Sequence, residues 1–237
     1  DIVVEYEVIQ RKSYFLNNFY ISHFKEELEQ ERYLQYENKY LIEAIAKHTD
    51  GVSEEEIHEF LDNCRNDFSI HLQSFHQQLS QAFELERRCK NYSAKDIQDL
   101  DNMYVEYCKN YHPAIKAHST EEERKVYSLL APIYRIGNIS AFKMLFNEYK
   151  DVFTSTHVEE EEYDTIAYYY QESMSNLKDL VSKLKNEFPL NKEDIFTETG
   201  ITQELIRLRE KNYKLREMNH SLHEDFKLHF SFDFELE

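Results

Sequence analysis

Tryptophan is absent from this sequence, and glycine, proline and cysteine occur only three times each in 237 residues. Each scarcity excludes something. Three scattered glycines cannot build a phosphate-cradling loop, and neither G-x-S-x-G nor H-E-x-x-H occurs. With so few Gly and Pro and so much Glu, Lys, Leu, Asn and Tyr, the chain reads as long helices with few breaks. Cys64, Cys89 and Cys108 are odd in number and lack C-x-x-C spacing, which excludes a disulfide framework and a zinc site. Cys64 and Cys108 sit on apolar helical faces and read as core residues. No apolar run reaches the roughly 18 residues a membrane span needs, and no signal-peptide pattern opens the chain. A reducing, cytoplasmic location is expected. The chain opens on Asp1 rather than Met, so its first residue need not be the natural start.

Basic charge is also scarce. Lys and Arg number 28 against 46 Asp and Glu, a net charge of −18. Nucleic-acid binding rests on cations that neutralise phosphates, and no basic run exists here. The same sign excludes anionic membrane surfaces and favours basic partners.

What is present is helical periodicity. Residues 1–47 read mostly as one long helix, with Phe15, Phe19, Phe24, Leu28, Leu34, Leu41 and Ile45 on a rough apolar stripe. Asp50-Gly51 breaks it. Ser53 with Glu56 forms a capping box for a second helix to Arg88, where Ile57, Leu61, Cys64, Phe68, Leu72, Phe75, Leu79 and Ala82 recur at steps of three or four. The short connection predicts antiparallel packing of the two. Arg87, Arg88 and Lys90 read as dipole complements at a helix end.

In the middle, Ile97, Leu100, Tyr104, Cys108 and Tyr111 line one face of a helix with Ser93 as N-cap. Pro113 disfavours helix at His112 and ends it. Thr120 with Glu121, Glu122 and Glu123 opens the next helix, which carries Val126, Leu130, Ile133 and Tyr134, with a kink expected at Pro132. Gly137-Asn138 stops it, and Ile139 to Tyr149 forms another short helix with Phe142, Leu145 and Phe146 on one side.

Three pieces of this stretch keep a particular order: Tyr111-His112-Pro113, Ser119-Thr120-Glu121-Glu122, and Ile133-Tyr134-Arg135-Ile136-Gly137-Asn138. Over about fifty residues they resemble the J-like domain of a group of bacterial proteins of unknown function, in which a tyrosine-bearing helix ends in His-Pro-Asp, a Thr-Glu-Glu loop follows, and the next helix leaves through a Gly-Asp turn. The resemblance implies a small helical hairpin and, where the tripeptide is intact, contact with an Hsp70 chaperone. Here the tripeptide is His112, Pro113 and Ala114, so the acid is missing. The helix before it carries Asp96, Asp99, Asp101 and Glu106 against Lys95 and Lys109, the opposite of the basic face that such domains present.

Further on, Phe153 to Val158 reads as a linker, and Glu159 to Glu162 as acids in a first helical turn. Ile166, Tyr170, Leu177, Leu184 and Phe188 mark a helix that ends at Pro189. Thr202 opens the last helix. Leu208, Leu215 and Leu222 fall at one heptad position, and Leu205, Asn212, Asn219 and Phe226 at another. A seam with buried Asn fixes register and partner number. Two partners fit it: the preceding helix, folded back through 190–201 into an antiparallel hairpin, or the same helix of a second copy. The loop is long enough for the first. The segment Phe230 to Phe234 alternates like a strand.

Two arrangements carry weaker chemistry. His220, His223 and Glu224 lie close enough on one helix to touch a metal, but no third element supplies a ligand. Cys108 and His112 at i and i+4 suggest a thiolate–imidazole pair, but nothing orients the histidine. The expectation is therefore an all-α chain in three blocks: an N-terminal helical hairpin over 1–92, a J-like module over 93–152 and a C-terminal antiparallel coiled-coil hairpin over 153–237. Its expected role is non-catalytic, without cofactor or metal, holding protein partners or a second copy through the last helix, and binding neither nucleic acid nor membrane. A J-type co-chaperone is the alternative, and a metal-dependent enzyme around His220 and His223 the more distant one.

Overall fold

The computed structural model describes residues 2–116, 119–149 and 163–236. Among these the chain forms eight α-helices and no strand, so the fold is all-α. They are α1 (Ile2–His23), α2 (Lys25–Thr49), α3 (Glu54–Cys89), α4 (Ala94–Tyr111), α5 (Glu121–Arg135), α6 (Ile139–Tyr149), α7 (Tyr163–Asn186) and α8 (Glu198–His229), with a 3-10 segment, Leu190–Phe196, before α8. None is long and apolar enough to cross a membrane. The expected Phe153–Val158 linker and the acidic Glu159–Glu162 turn lie outside the described residues, as do the side chains of Tyr111 and Ile166.

Helix ends follow local chemistry closely. Ser93 and Asp96 exchange bonds as a capping box at α4, Thr120 and Glu123 do the same at α5, and Ser53 with Glu56 does so at α3. α4 stops at His112, whose backbone is extended. α5 runs through Pro132 to Arg135 without a break. It ends where Gly137 adopts φ +66 and Asn138 N–H reaches back to Ile133 O at 3.1 Å. A Cβ at Gly137 would also come 2.7 Å from the Phe15 ring. We therefore expect Gly137→Ala to lose about 1–2 kcal/mol from backbone strain alone, with more from the Phe15 contact, measured by urea denaturation.

Two helix boundaries differ from expectation. Residues 1–47 are not one helix: α1 and α2 meet at Phe24, a fully buried residue with φ −105 and ψ 22. The last helix starts at Glu198, not Thr202, because the Thr197 hydroxyl accepts the Gly200 N–H at 3.0 Å and caps it earlier.

The chain groups into two compact units, residues 1–19 with 83–193 and residues 20–82 with 194–237. Both are discontinuous in sequence, unlike the three consecutive blocks expected.

The first unit has a tyrosine-rich core. Tyr104, Tyr107 and Tyr134 are fully buried with Leu100, Leu130 and Phe142. Tyr104 stacks on Tyr134 with ring centroids 3.6 Å apart. Large aromatics here do the work that Trp does elsewhere. Val3 of α1 and Leu177 of α7 close the same core.

In the second unit α2 and α3 form the expected antiparallel hairpin: Glu29 meets His76, Tyr36 meets Phe68 and His71, and Lys47 lies over Phe60. The partner of α8 is α2 rather than the preceding helix. Glu27 meets Arg209, Glu31 meets Lys211, Glu37 meets Asn219 and Asn38 meets Leu215, with separations that stay between 177 and 182. A constant separation means that the two helices run parallel, where an antiparallel hairpin was expected. The reason is polar complementarity. α2 supplies acceptors for the seam asparagines, whereas the inward side of α7, with Met174, Leu177 and Val181, is apolar and would leave them unpaired.

Candidate functional site

The residues singled out by the tripeptide meet at a buried polar centre in the first unit. α4 ends by delivering His112, which is 6% exposed. Its Nδ1 accepts the Ala114 N–H at 3.1 Å, so the ring proton sits on Nε2. Nε2 faces Glu7 Oε1 at 3.5 Å, a contact too long for a well-formed hydrogen bond. Pro113 offers its carbonyl to the Tyr169 hydroxyl of α7 at 2.7 Å. Ala114 and Ile115 pack against the core. The tripeptide thus turns the chain and buries the His112 side chain, with Pro113 and Ala114 half-buried.

Glu7 itself has no exposed surface. From α5, Arg135 grips it with both ends of its guanidinium, Nε to Oε2 at 3.1 Å and Nη2 to Oε1 at 2.9 Å. The Tyr127 hydroxyl donates to Oε1 at 2.8 Å. Burial alone would raise the Glu7 pKa, but His112 and Arg135, then Tyr127, outweigh it and hold the carboxyl at about 2. Of these the bidentate Arg135 has the better geometry. Sequence reading missed Glu7. Its signal was positional: Val3, Glu7 and Arg11 repeat at steps of four, and Val3 and Glu7 are both fully buried.

Around this centre, groups able to do chemistry are locked. Burial pushes the Cys108 thiol up to about 12, and its carbonyl, not its sulfur, meets His112. The Cys108–His112 pair does not form. Of the acids of α4, Asp96 serves in the capping box and Asp101 is held by Arg11 and Tyr134.

The heptad residues meet in the second unit. Leu208 and Asn212 are 1% and 2% exposed, and Phe226 is fully buried. Asn212 Nδ2 donates to Glu27 O at 2.8 Å, and Asn219 Nδ2 donates to Glu37 Oε2 and Asn38 Oδ1 at 2.8 and 2.9 Å. Leu205 packs with Phe24, Leu222 joins the cluster around Phe226, and Leu215 presents its carbonyl to Asn38. The seam expected to bind another helix is filled by α2 of the same chain.

His220 and Glu224 pair with each other at 3.4 Å, and His223 turns to Glu37 at 3.6 Å, so these histidines do not converge. Among the described residues no three His, Cys, Asp or Glu side chains gather as a metal site. Compared with protein-family models, curated proteins and solved structures, the chain matches none.

Proposed function

We propose that this chain is a non-catalytic interaction protein that carries a degenerate J-like helical module and holds protein partners or a second copy of itself. The observation that supports this most is the environment of His112. Its Nδ1 is taken by Ala114 and its Nε2 is turned to a fully buried carboxylate. A tripeptide spent on internal packing is poorly suited to docking a chaperone, and neither the missing acid at Ala114 nor the acidic α4 restores a steering surface. The inert, buried Cys108 supports the absence of catalysis.

The co-chaperone alternative rests on the resemblance of residues 97–146 and is separated by one assay. Hsp70 ATP turnover is expected to stay within about twofold when this protein is added, since basic steering is absent. Ala114→Asp is expected to leave it there. A several-fold rise with the wild-type chain would overturn the proposal. The full chain must be used, because truncation before α8 strips α2 of its partner. Quantitative pull-down with that chain, beside light scattering, is expected to find a stoichiometric partner or a self-associated species. A monomer that captures nothing would also defeat the reading.

A further inference from the structure

Among the described residues, the segment that follows α8 is held differently from the helices. Residues 230–236 form neither helix nor strand, yet their burial alternates. Phe230, Phe234 and Leu236 are 7%, 0% and 6% exposed, Phe232 is partly buried, and Ser231, Asp233 and Glu235 are exposed. Period-two burial belongs to strands, whose backbone groups bond to a neighbouring strand. No strand is present among the described residues, and side chains of α2 and α3 take up the backbone instead.

Glu54 accepts the Ser231 N–H at 3.0 Å and its hydroxyl at 2.6 Å. Arg65 Nε donates to Glu235 O at 2.9 Å while its guanidinium lies 4.9 Å over the Phe234 ring. The buried Glu37 carboxylate lies close to the Leu236 backbone. His48 and His58 lie against Phe230 and Phe232, at 5.0 and 4.8 Å between ring centroids. The floor is Leu41, Ala44, Ile57 and Leu61.

Backbone readers at fixed positions, with apolar seats at alternate positions, are how proteins recognise extended peptides. The geometry points to a peptide-binding groove on the α2–α3 hairpin, filled here by Phe230–Leu236 as an internal ligand, whose partner is an extended segment with aromatic residues at alternate positions and a basic residue where the internal ligand has Glu235. Charge decides the last part. The outward residues of the internal ligand include Asp233 and Glu235, set on a protein of net charge −18. Glu235 acts unfavourably on the buried Glu37, and Asp233 has Lys227 at 3.5 Å. A foreign segment with Lys in place of Glu235 escapes this repulsion and gains attraction to Glu37, while an acid in place of Asp233 keeps its pairing with Lys227. It still competes with a tethered ligand of millimolar-scale effective concentration, so binding requires the strap to open on its own.

This rests on the reading of the chain as an interaction protein. Two measurements test it. In native-state hydrogen exchange of the full chain, the Ser231 and Leu236 amides should open at least tenfold more often than core amides of α2 and α8. Arg65→Ala should speed them a further tenfold, with the helices unchanged. A labelled peptide of residues 230–236 carrying Glu235→Lys should bind full-length Ser231→Pro protein at least tenfold more tightly than wild type, because that substitution removes the strap's N–H without touching the groove. The same peptide with Phe234→Ala should bind neither. Strap amides that exchange only together with α2 and α8, or a folded Ser231→Pro protein that ignores the peptide, would overturn the groove. Either result leaves the broader reading to the pull-down, and the exchange measurement on wild type decides even where Ser231→Pro does not fold.

Discussion

Glu7→Ala lowers the unfolding free energy by about 3–5 kcal/mol, the range found when one partner of a buried ion pair is removed. The carboxylate has no exposed surface and joins three polar side chains from two other segments of the chain. Its loss leaves a guanidinium that is 32% exposed and a half-buried tyrosine without their acceptor, and a buried imidazole without the charge it faces. Removing both charges together is far milder, since a buried pair replaced by apolar groups is near neutral. Glu7→Leu with Arg135→Met should therefore recover most of the loss. Urea denaturation of the two single variants and the double variant gives the coupling, and hydrogen exchange should place the weakening in residues 1–19 and 83–149. If Glu7→Ala costs under about 1 kcal/mol, the level of an exposed pair, the centre is not a unit.

The same carboxylate sets an acid response of known sign. Its folded pKa, about 2, lies below the ordinary 4.5. It therefore stabilises the fold above about pH 4.5, by an amount on the order of 3 kcal/mol. That stabilisation is lost as pH falls from 4.5 through about 2. Glu37 works in the opposite direction. Burial raises its pKa against Asn219 and His223, so folding takes up a proton there, and acidification through its raised pKa relieves it. The acid-unfolding midpoint should shift upward in Glu7→Gln.

Phe226→Ala is expected to cost about 3–5 kcal/mol as well, for a different reason: a cavity. Phe226 is fully buried and lies 4.3, 5.5 and 6.5 Å from the rings of Phe230, Phe232 and Phe234. Its removal takes the centre out of the cluster on which the extended segment rests. Leu228, two residues along the same helix and 82% exposed, serves as the control. Leu228→Ala should change stability by less than about 0.5 kcal/mol. Equal losses from both would mean that the sheltered face of α8 has been misread.

Local events were legible in the sequence. Ser53, Ser93 and Thr120 each announced a helix start through an acid three residues on, and Pro113 and Gly137 announced the stops. All of these depend on neighbours within a turn. Pairing was not legible in the same way. The heptad of α8 marks Leu208, Asn212 and Phe226, all buried in the fold, but a leucine–asparagine seam does not say which helix will satisfy it. That choice was made by Glu27, Glu37 and Asn38, which in isolation look like solvated polar positions of a charged helix. Glu7 was hidden for the same reason. A carboxylate is expected outside, and only Arg135, more than a hundred residues later, makes it an inside residue.

The parallel course of α2 and α8 bears on how the chain is made. Each contact between them joins residues about 180 apart in sequence, which places this pair among the slowest kinds of contact to form. At roughly 5–20 residues per second, synthesis of the intervening stretch takes on the order of ten to forty seconds. During that time the inward face of α2, with Leu34, Glu37, Asn38 and Leu41, waits on the ribosome without its mate. The polar groups that later fix the register of α8 also keep this waiting face from being wholly apolar. The Glu37 and Asn38 side chains that hold Asn219 in the finished pair also protect the nascent α2 from sticking to the wrong surface.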